Sequence, residues 1–177
     1  ATREAFQREA AGARIAHLAA HGAFRHDNPM LSSLRLADGD LTLVDLQEME
    51  LPVDLLTVSA CSGGTSVTVG ADELLGLVRG FLAAGARSMM VALWDIDDRS
   101  TNEFMASFYR HLSRSDDLPG AFRQAAIEVR RRYPHPYHWA PFVLAGDPAA
   151  LDRRDFTISE PRDTPIVGGE LFFRRGA

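Results

Sequence analysis

The chain has 177 residues and a net charge of −5 at neutral pH, with 46% hydrophobic and 24% charged residues. This length predicts one domain, or one domain with a tail, that can bury a substantial core. The acidic balance and the lack of a long basic run argue against nucleic-acid binding through a basic face. No apolar run reaches the length of a membrane span, and a single cysteine cannot form an internal disulfide. We therefore expect a reducing, cytoplasmic setting without membrane association.

Apolar periodicity predicts strands that alternate with helices along the chain. In chain order we expect a helix over 2–11, a strand over 14–20, a hairpin around 38–40, a strand over 54–61, a helix over 72–84, a strand over 88–94, helices over 101–112 and 119–132, and a strand over 140–146. This order predicts an α/β fold with a predominantly parallel sheet and helices on both faces. Residues 1–147 are expected to form the domain, and residues 148–177 a tail with one apolar island that offers an edge strand.

The only cysteine, Cys61, is the last residue of the predicted strand over 54–61. It stands shortly before Gly63 and Gly64. In an α/β sheet, the loops at the carboxyl ends of the strands converge over a crevice. Binding and catalytic residues commonly lie in this crevice. Cys61 is therefore a candidate nucleophile. The alternative is a small buried residue packed under the loop, because free cysteine is among the most buried side chains.

His21 ends the preceding long strand in the same way, and Gly22 follows it. If the two strands are parallel neighbours, their ends lie side by side and both residues face one crevice. An imidazole can withdraw the thiol proton or protonate the leaving amine of a peptide bond. The backbone N–H groups of Gly22 and Cys61 would then form an oxyanion hole. The alternative is a pair of unrelated strand-end residues.

An acidic loop with Asp95, Asp97 and Asp98 follows the third predicted strand. Such a loop is often a solvated or helix-capping turn, but at this edge of the sheet it could also receive an Arg or Lys side chain. His17 and His21 are four residues apart, yet no further ligand stands at suitable spacing, so we predict no metal and no cofactor. The other histidines are expected in surface or loop positions: His26, His111, His135 and His138.

Five strings follow one another in an order and spacing that resemble the CHAT domain of the caspase-like cysteine peptidases, the clan of caspases, metacaspases, separases and gingipains. They are HLAAHG, LTVSACSGG, GADELLGLVRGFLAAGA, VALWDIDDRST and HWAPFVLAG, and the resemblance covers residues 1–147. It implies a caspase-like fold with His21 as the dyad histidine and Cys61 as the nucleophile. It also implies that Gly22 and Cys61 supply the oxyanion-hole amides, and that Asp98 stands where metacaspase-type relatives place an acidic residue that helps receive a basic side chain.

A complete CHAT domain is longer at its N-terminus than the segment that starts here. The resemblance therefore implies partners in the form of the missing N-terminal part of the domain or of fused repeat domains, besides a protein or peptide substrate. The expected function is a cysteine endopeptidase that cleaves after a basic residue, with an activator or the rest of the chain ordering the loop 63–70. The alternative is an inactive caspase-like scaffold or interaction domain of a multidomain protein.

Overall fold

The computed structural model describes residues 1–23, 28–61, 71–94, 97–115, 117–151 and 171–174. Helix α1 (Arg3–Ala10) leads into strand β1 (Ile15–Ala23), and a hairpin of β2 (Ser33–Leu36) and β3 (Gly39–Thr42) leads into α2 (Leu43–Gln47). Next come β4 (Leu55–Cys61), α3 (Ala71–Ala83), β5 (Ser88–Ala92), α4 (Asp98–Leu112), α5 (Leu118–Arg132), β6 (Phe142–Gly146) and β7 (Leu171–Arg174). Two short 3-10 helices span Pro29–Leu31 and Pro136–His138. The α/β class predicted from the sequence is confirmed.

The described strands form one mixed sheet in the order β3-β2-β1-β4-β5-β6. Its centre is parallel, because β1 pairs with β4 and β4 pairs with β5 in the same direction. The outer strands β2, β3 and β6 pair antiparallel with their neighbours. Strand β7, from the C-terminal part of the chain, also pairs antiparallel with β1 along residues 15–18. Because β1 and β4 run in the same direction, their carboxyl ends lie at one edge of the sheet.

Helices cover both faces of the sheet, as the sequence predicts. Alternate strand residues such as Leu18 and Leu56 pack in one apolar cluster with Phe6 of α1 and Phe81 of α3. The intervening residues, including Leu55, pack on the other face against α4 and α5. Because successive side chains of a strand point to opposite faces, strands buried on both faces must be apolar almost throughout. That requirement explains why these segments are recognisable in the sequence.

Strand β6 ends at Gly146, which is the Cα partner of Ser88 at the start of β5. This glycine has a φ of 101°, and a Cβ built on it would lie 2.3 Å from the carbonyl oxygen of Arg87. The left-handed backbone and the close approach both favour glycine here.

Charged side chains join the strands at the edge opposite the carboxyl ends of β1 and β4. The Asp54 carboxylate accepts from Arg14 at 2.6 Å and from Arg87 at 3.2 Å. Arg87 also donates to Asp147 at 2.6 Å and to the carbonyl of Ala150 at 3.0 Å. The residues just before β1, β4 and β5 and just after β6 are thereby joined to one another at this end of the sheet.

Candidate functional site

The candidate site lies at the carboxyl ends of β1 and β4. These strands pair in parallel from Ile15 and Leu55 to His21 and Cys61, so His21 and Cys61 are direct Cα partners. Residues paired in register on parallel strands occupy the same face of a sheet. The two residues that the sequence singles out, 40 positions apart, are therefore brought together at the backbone. His21 is solvent-exposed.

Gly22 lies one residue beyond this pair. It is partly buried and is the Cα partner of Leu34 in the antiparallel pairing of β1 with β2. Strand β1 thus changes its neighbours at the site: β4 lies on one side up to His21, while β2 lies on the other side from His21 onward.

The acidic loop begins helix α4 three residues earlier than the sequence predicts. Asp97 is the N-cap, and its carboxylate accepts from the backbone N–H groups of Arg99 and Ser100 at 3.0 and 3.2 Å. The Ser100 hydroxyl also donates to Asp97, and this hydrogen bond is the main reason that the pKa of Asp97 lies below its usual value. The Asp97 carboxylate is 3.1 Å from Nδ1 of His138, a contact between distant residues that no sequence pattern indicates.

Asp98 occupies the first turn of α4 and is exposed, whereas Asp95 lies outside the described residues. Trp94, two residues after the end of β5, donates its indole N–H to the carbonyl of Tyr137 at 3.2 Å. Together with the contact between His138 and Asp97, this hydrogen bond holds the Pro136–His138 segment near the start of α4. Because β5 is parallel to β4, this acidic and aromatic segment lies at the same edge of the sheet as His21 and Cys61.

Beneath this edge, His17 of β1 is buried, with 3% of its surface exposed. Its Nε2 lies 3.0 Å from the Ser59 hydroxyl and its Nδ1 lies 3.3 Å from the Tyr109 hydroxyl. Tyr109 also donates to Thr57 Oγ1 at 3.0 Å. Burial lowers the pKa of His17 from 6.5 to about 4, so the imidazole is neutral at pH 7. The sequence shows His17 only as one histidine in an apolar run, and the signal that could have found this cluster is the alternation of Thr57 and Ser59 with apolar residues.

Comparison with known proteins establishes the family. The model of the CHAT domain matches residues 1–147, and the chain belongs to this family. Among curated proteins, tetratricopeptide repeat protein 28 of Homo sapiens is 30% identical over 149 residues, and that of Mus musculus is 33% identical over 122 residues. These matches cover 83% and 68% of this chain but only 6% and 5% of the relatives.

The resemblance to the CHAT domain predicted from the sequence is thus confirmed. None of the helices in the described part of the chain has the length and hydropathy needed to cross a membrane.

Proposed function

We propose that this chain carries the catalytic dyad of a cysteine endopeptidase that hydrolyses peptide bonds in protein substrates. The observation that supports this proposal is the in-register pairing of His21 with Cys61 at the carboxyl ends of two neighbouring parallel strands. Membership in the CHAT family is consistent with it, because the strings that carry the two residues belong to the matched region.

In the proposed reaction, His21 takes the thiol proton and the sulfur of Cys61 attacks the carbonyl carbon of the scissile peptide bond. The negative charge that develops on the carbonyl oxygen is stabilised by the backbone N–H groups of Gly22 and Cys61. His21 then gives its proton to the departing amine, which leaves a thioester on Cys61. A water molecule, deprotonated by His21, hydrolyses the thioester and restores the free thiol.

We further propose that the substrate has a basic residue before the cleaved bond. Asp98 is exposed at the edge of the sheet that holds the candidate site, and Asp97 lies beside it as the helix cap. Asp95 belongs to the same proposal, although it lies outside the described residues. A carboxylate at such a position binds a guanidinium or ammonium group through charge-assisted hydrogen bonds.

The experiment compares fluorogenic peptides that end in Arg, Lys, Asp or Leu, in the presence of wild-type protein, Cys61→Ala and His21→Ala. We expect faster cleavage after Arg and Lys than after Asp and Leu, and loss of cleavage in both variants. The histidine control is His111→Ala, because His111 lies on α4 and contacts Glu128 of α5 rather than either dyad strand. Cleavage that persists in Cys61→Ala would reject the mechanism.

The acidic residues are tested separately. Asp98→Asn should raise KM for the Arg peptide more than for the Leu peptide, because only the former loses an ion pair. Asp117→Asn is the matched control, because Asp117 caps α5 and stands at another position in the fold. An equal effect of Asp98→Asn on both peptides contradicts the proposed specificity.

A second candidate function is a caspase-like scaffold without catalytic activity, which serves as the interaction domain of a larger protein. The relatives favour it, since both are named as tetratricopeptide repeat proteins and this chain corresponds to a small fraction of their length. A folded protein that binds a repeat-containing partner while Cys61 fails to react with a peptidyl electrophile would support the scaffold over the peptidase.

We also propose that peptidase activity in the cytoplasm depends on an activator or on a further part of the polypeptide, either an N-terminal extension of the domain or fused repeat domains. The loop 63–70 that such a partner would order lies outside the described residues. Peptide cleavage by the 177-residue chain alone and by a longer polypeptide distinguishes the cases: equal kcat values contradict the dependence on a partner.

A further inference from the structure

A buried polar cluster connects the two strands of the candidate site to helix α4. It consists of His17 on β1, Thr57 and Ser59 on β4, and Tyr109 on α4. The helix face around it is apolar, with Phe108 fully buried beside Tyr109. The mechanism proposed above uses none of these four side chains.

The burial of these polar side chains between the sheet and α4 requires a physical explanation. Thr57 is fully buried and His17 is 3% exposed. Burying a hydroxyl or an imidazole costs free energy that its hydrogen bonds offset only in part, so apolar side chains of similar size would pack here at no such cost. What a hydrogen-bonded cluster supplies is a single arrangement of the elements that it joins, because each donor must meet its acceptor at a fixed distance and angle.

The cluster lies directly below the candidate site. In the pairing of β1 with β4, His17 is opposite Thr57, Ala19 is opposite Ser59 and His21 is opposite Cys61. Since side chains alternate along a strand, these three pairs occupy one face of the sheet. The bond from His17 Nε2 to the Ser59 hydroxyl therefore crosses between the strands toward the site and ends two residues before Cys61.

The other nitrogen of His17 connects the strands to the helix. Its Nδ1 faces the hydroxyl of Tyr109, which also contacts Thr57, so α4 is fixed to both strands through one phenol group. The imidazole is neutral and carries one N–H donor and one acceptor nitrogen, which matches one hydroxyl partner on each side. The ring is thereby restrained at both nitrogens.

We propose that His17 is a positioning residue for the candidate site, which sets the height of the Cys61 strand against the His21 strand through its hydrogen bond to Ser59. This inference rests on the proposed function for its effect on catalysis. It predicts that loss of the His17–Ser59 bond lowers kcat and leaves KM nearly unchanged, because the substrate contacts remain while the reacting groups are misplaced.

Two substitutions at position 17 separate the two hydrogen bonds. The amide of Gln reaches the position of Nε2, so His17→Gln keeps a partner for Ser59. The shorter amide of Asn reaches only the position of Nδ1, so His17→Asn keeps the contact with Tyr109 and loses Ser59. We expect kcat near the wild-type value for His17→Gln and about 10- to 100-fold lower for His17→Asn. A purely space-filling role would give the same order, because Asn is also smaller than Gln, so Ser59→Ala, which removes only the hydroxyl partner of His17, distinguishes the two roles.

A readout independent of peptide cleavage is the alkylation rate of the thiol with iodoacetamide. The chain has one cysteine, so this rate reports Cys61 alone. We expect slower alkylation in His17→Asn than in wild type and in His17→Gln. Ser59→Ala removes the same bond from the other strand and provides the test if His17→Asn does not fold. Its matched control is Ser107→Ala, which loses a hydrogen bond to Glu128 away from the strands.

The outcomes are distinguishable. Slower alkylation in His17→Asn and Ser59→Ala than in wild type supports the positioning role, and it does so even if neither the wild-type chain nor a longer polypeptide cleaves any peptide, a result that rejects the endopeptidase. Equal alkylation rates and equal kcat values in wild type, His17→Asn and Ser59→Ala overturn the positioning role. A wild-type thiol that does not react with iodoacetamide overturns both proposals.

Discussion

Protonation of His17 should make the stability of this protein depend on pH in a defined window. The pKa of His17 is lowered from 6.5 to about 4 because the imidazole is buried between β1, β4 and α4. An unfolded chain takes up a proton at this position below pH 6.5, whereas the folded chain takes it up only near pH 4. The His17 contribution is therefore fully present above pH 6.5 and is lost as the pH falls to about 4.

The size of the effect follows from the same pKa values. A change of one unit in pKa corresponds to about 1.4 kcal/mol, so a pKa lowered from 6.5 to about 4 corresponds to about 3 kcal/mol of unfolding free energy. This is a substantial part of the roughly 5–15 kcal/mol that stabilises a typical domain. We expect His17 to account for a steep loss of stability in mild acid.

The assay is urea unfolding at several pH values between about 7.5 and 4, in wild type and in His17→Gln. The difference between the two unfolding free energies should fall by about 3 kcal/mol across this range, because the variant lacks the titrating group and all other ionisable groups are shared. Phe108→Leu is the control for a buried change without titration, and its difference from wild type should be constant. A difference between wild type and His17→Gln that does not vary with pH would refute the assignment of a buried neutral imidazole.

Three further predictions concern stability. Gly146→Ala should lower the free energy of unfolding by about 3 kcal/mol, because the new methyl group would meet the Arg87 carbonyl at a left-handed backbone position; an unchanged Tm contradicts this. Asp54→Asn should lower the free energy of unfolding, measured with urea, by about 2 kcal/mol. The reason is that Arg14 and Arg87 each lose a charged partner, the Asp54 carboxylate, whose side chain is 18% exposed. The pKa of Glu128 is held below its usual value mainly by a hydroxyl and an imidazole on α4, so its contribution is present at neutral pH and is lost as the carboxylate protonates. Glu128→Gln should therefore weaken the acid dependence of unfolding, and an identical acid profile would contradict the assignment.

Much of the fold could be predicted from the sequence because the central strands are buried on both faces. A largely apolar run of strand length, such as the one that ends at Cys61, is typical of a strand covered by helices on both sides, and glycines mark several of the strand ends. The start of α4 was predicted less well, at 101 rather than at Asp98. Periodicity detects the apolar stripe of a helix, whereas the first turn here is set by the cap that Asp97 forms with Arg99 and Ser100.

Periodicity and spacing predict the candidate dyad only as a pair of strand ends, and the roles of His21 and Cys61 are implied by the resemblance to the CHAT domain. That β1 and β4 are neighbours, and that their register joins His21 to Cys61, depends on the crossover between them and on packing from both faces. The polar cluster was not predicted at all. Tyr109 lies 92 positions from His17 in the chain, so no local pattern connects the two, and a tyrosine in an amphipathic helix is indistinguishable from any other core aromatic residue.

The register of β1 and β4 connects the core to the proposed chemistry. A slip of one residue would place Cys61 opposite Ala20 and move every side chain of β4 to the other face of the sheet. Leu55 would then leave the cluster against α4 and α5, and Leu56 would leave the cluster that contains Phe81. The apolar packing of β4 therefore constrains its register, and the polar cluster adds a directional constraint. Hydrophobic contacts tolerate small sliding movements, whereas the hydrogen bond between His17 and Ser59 does not. Under this view the spacing of the candidate dyad is determined below the site, by buried residues that never contact a substrate, and substitutions there should change kcat before they change substrate affinity.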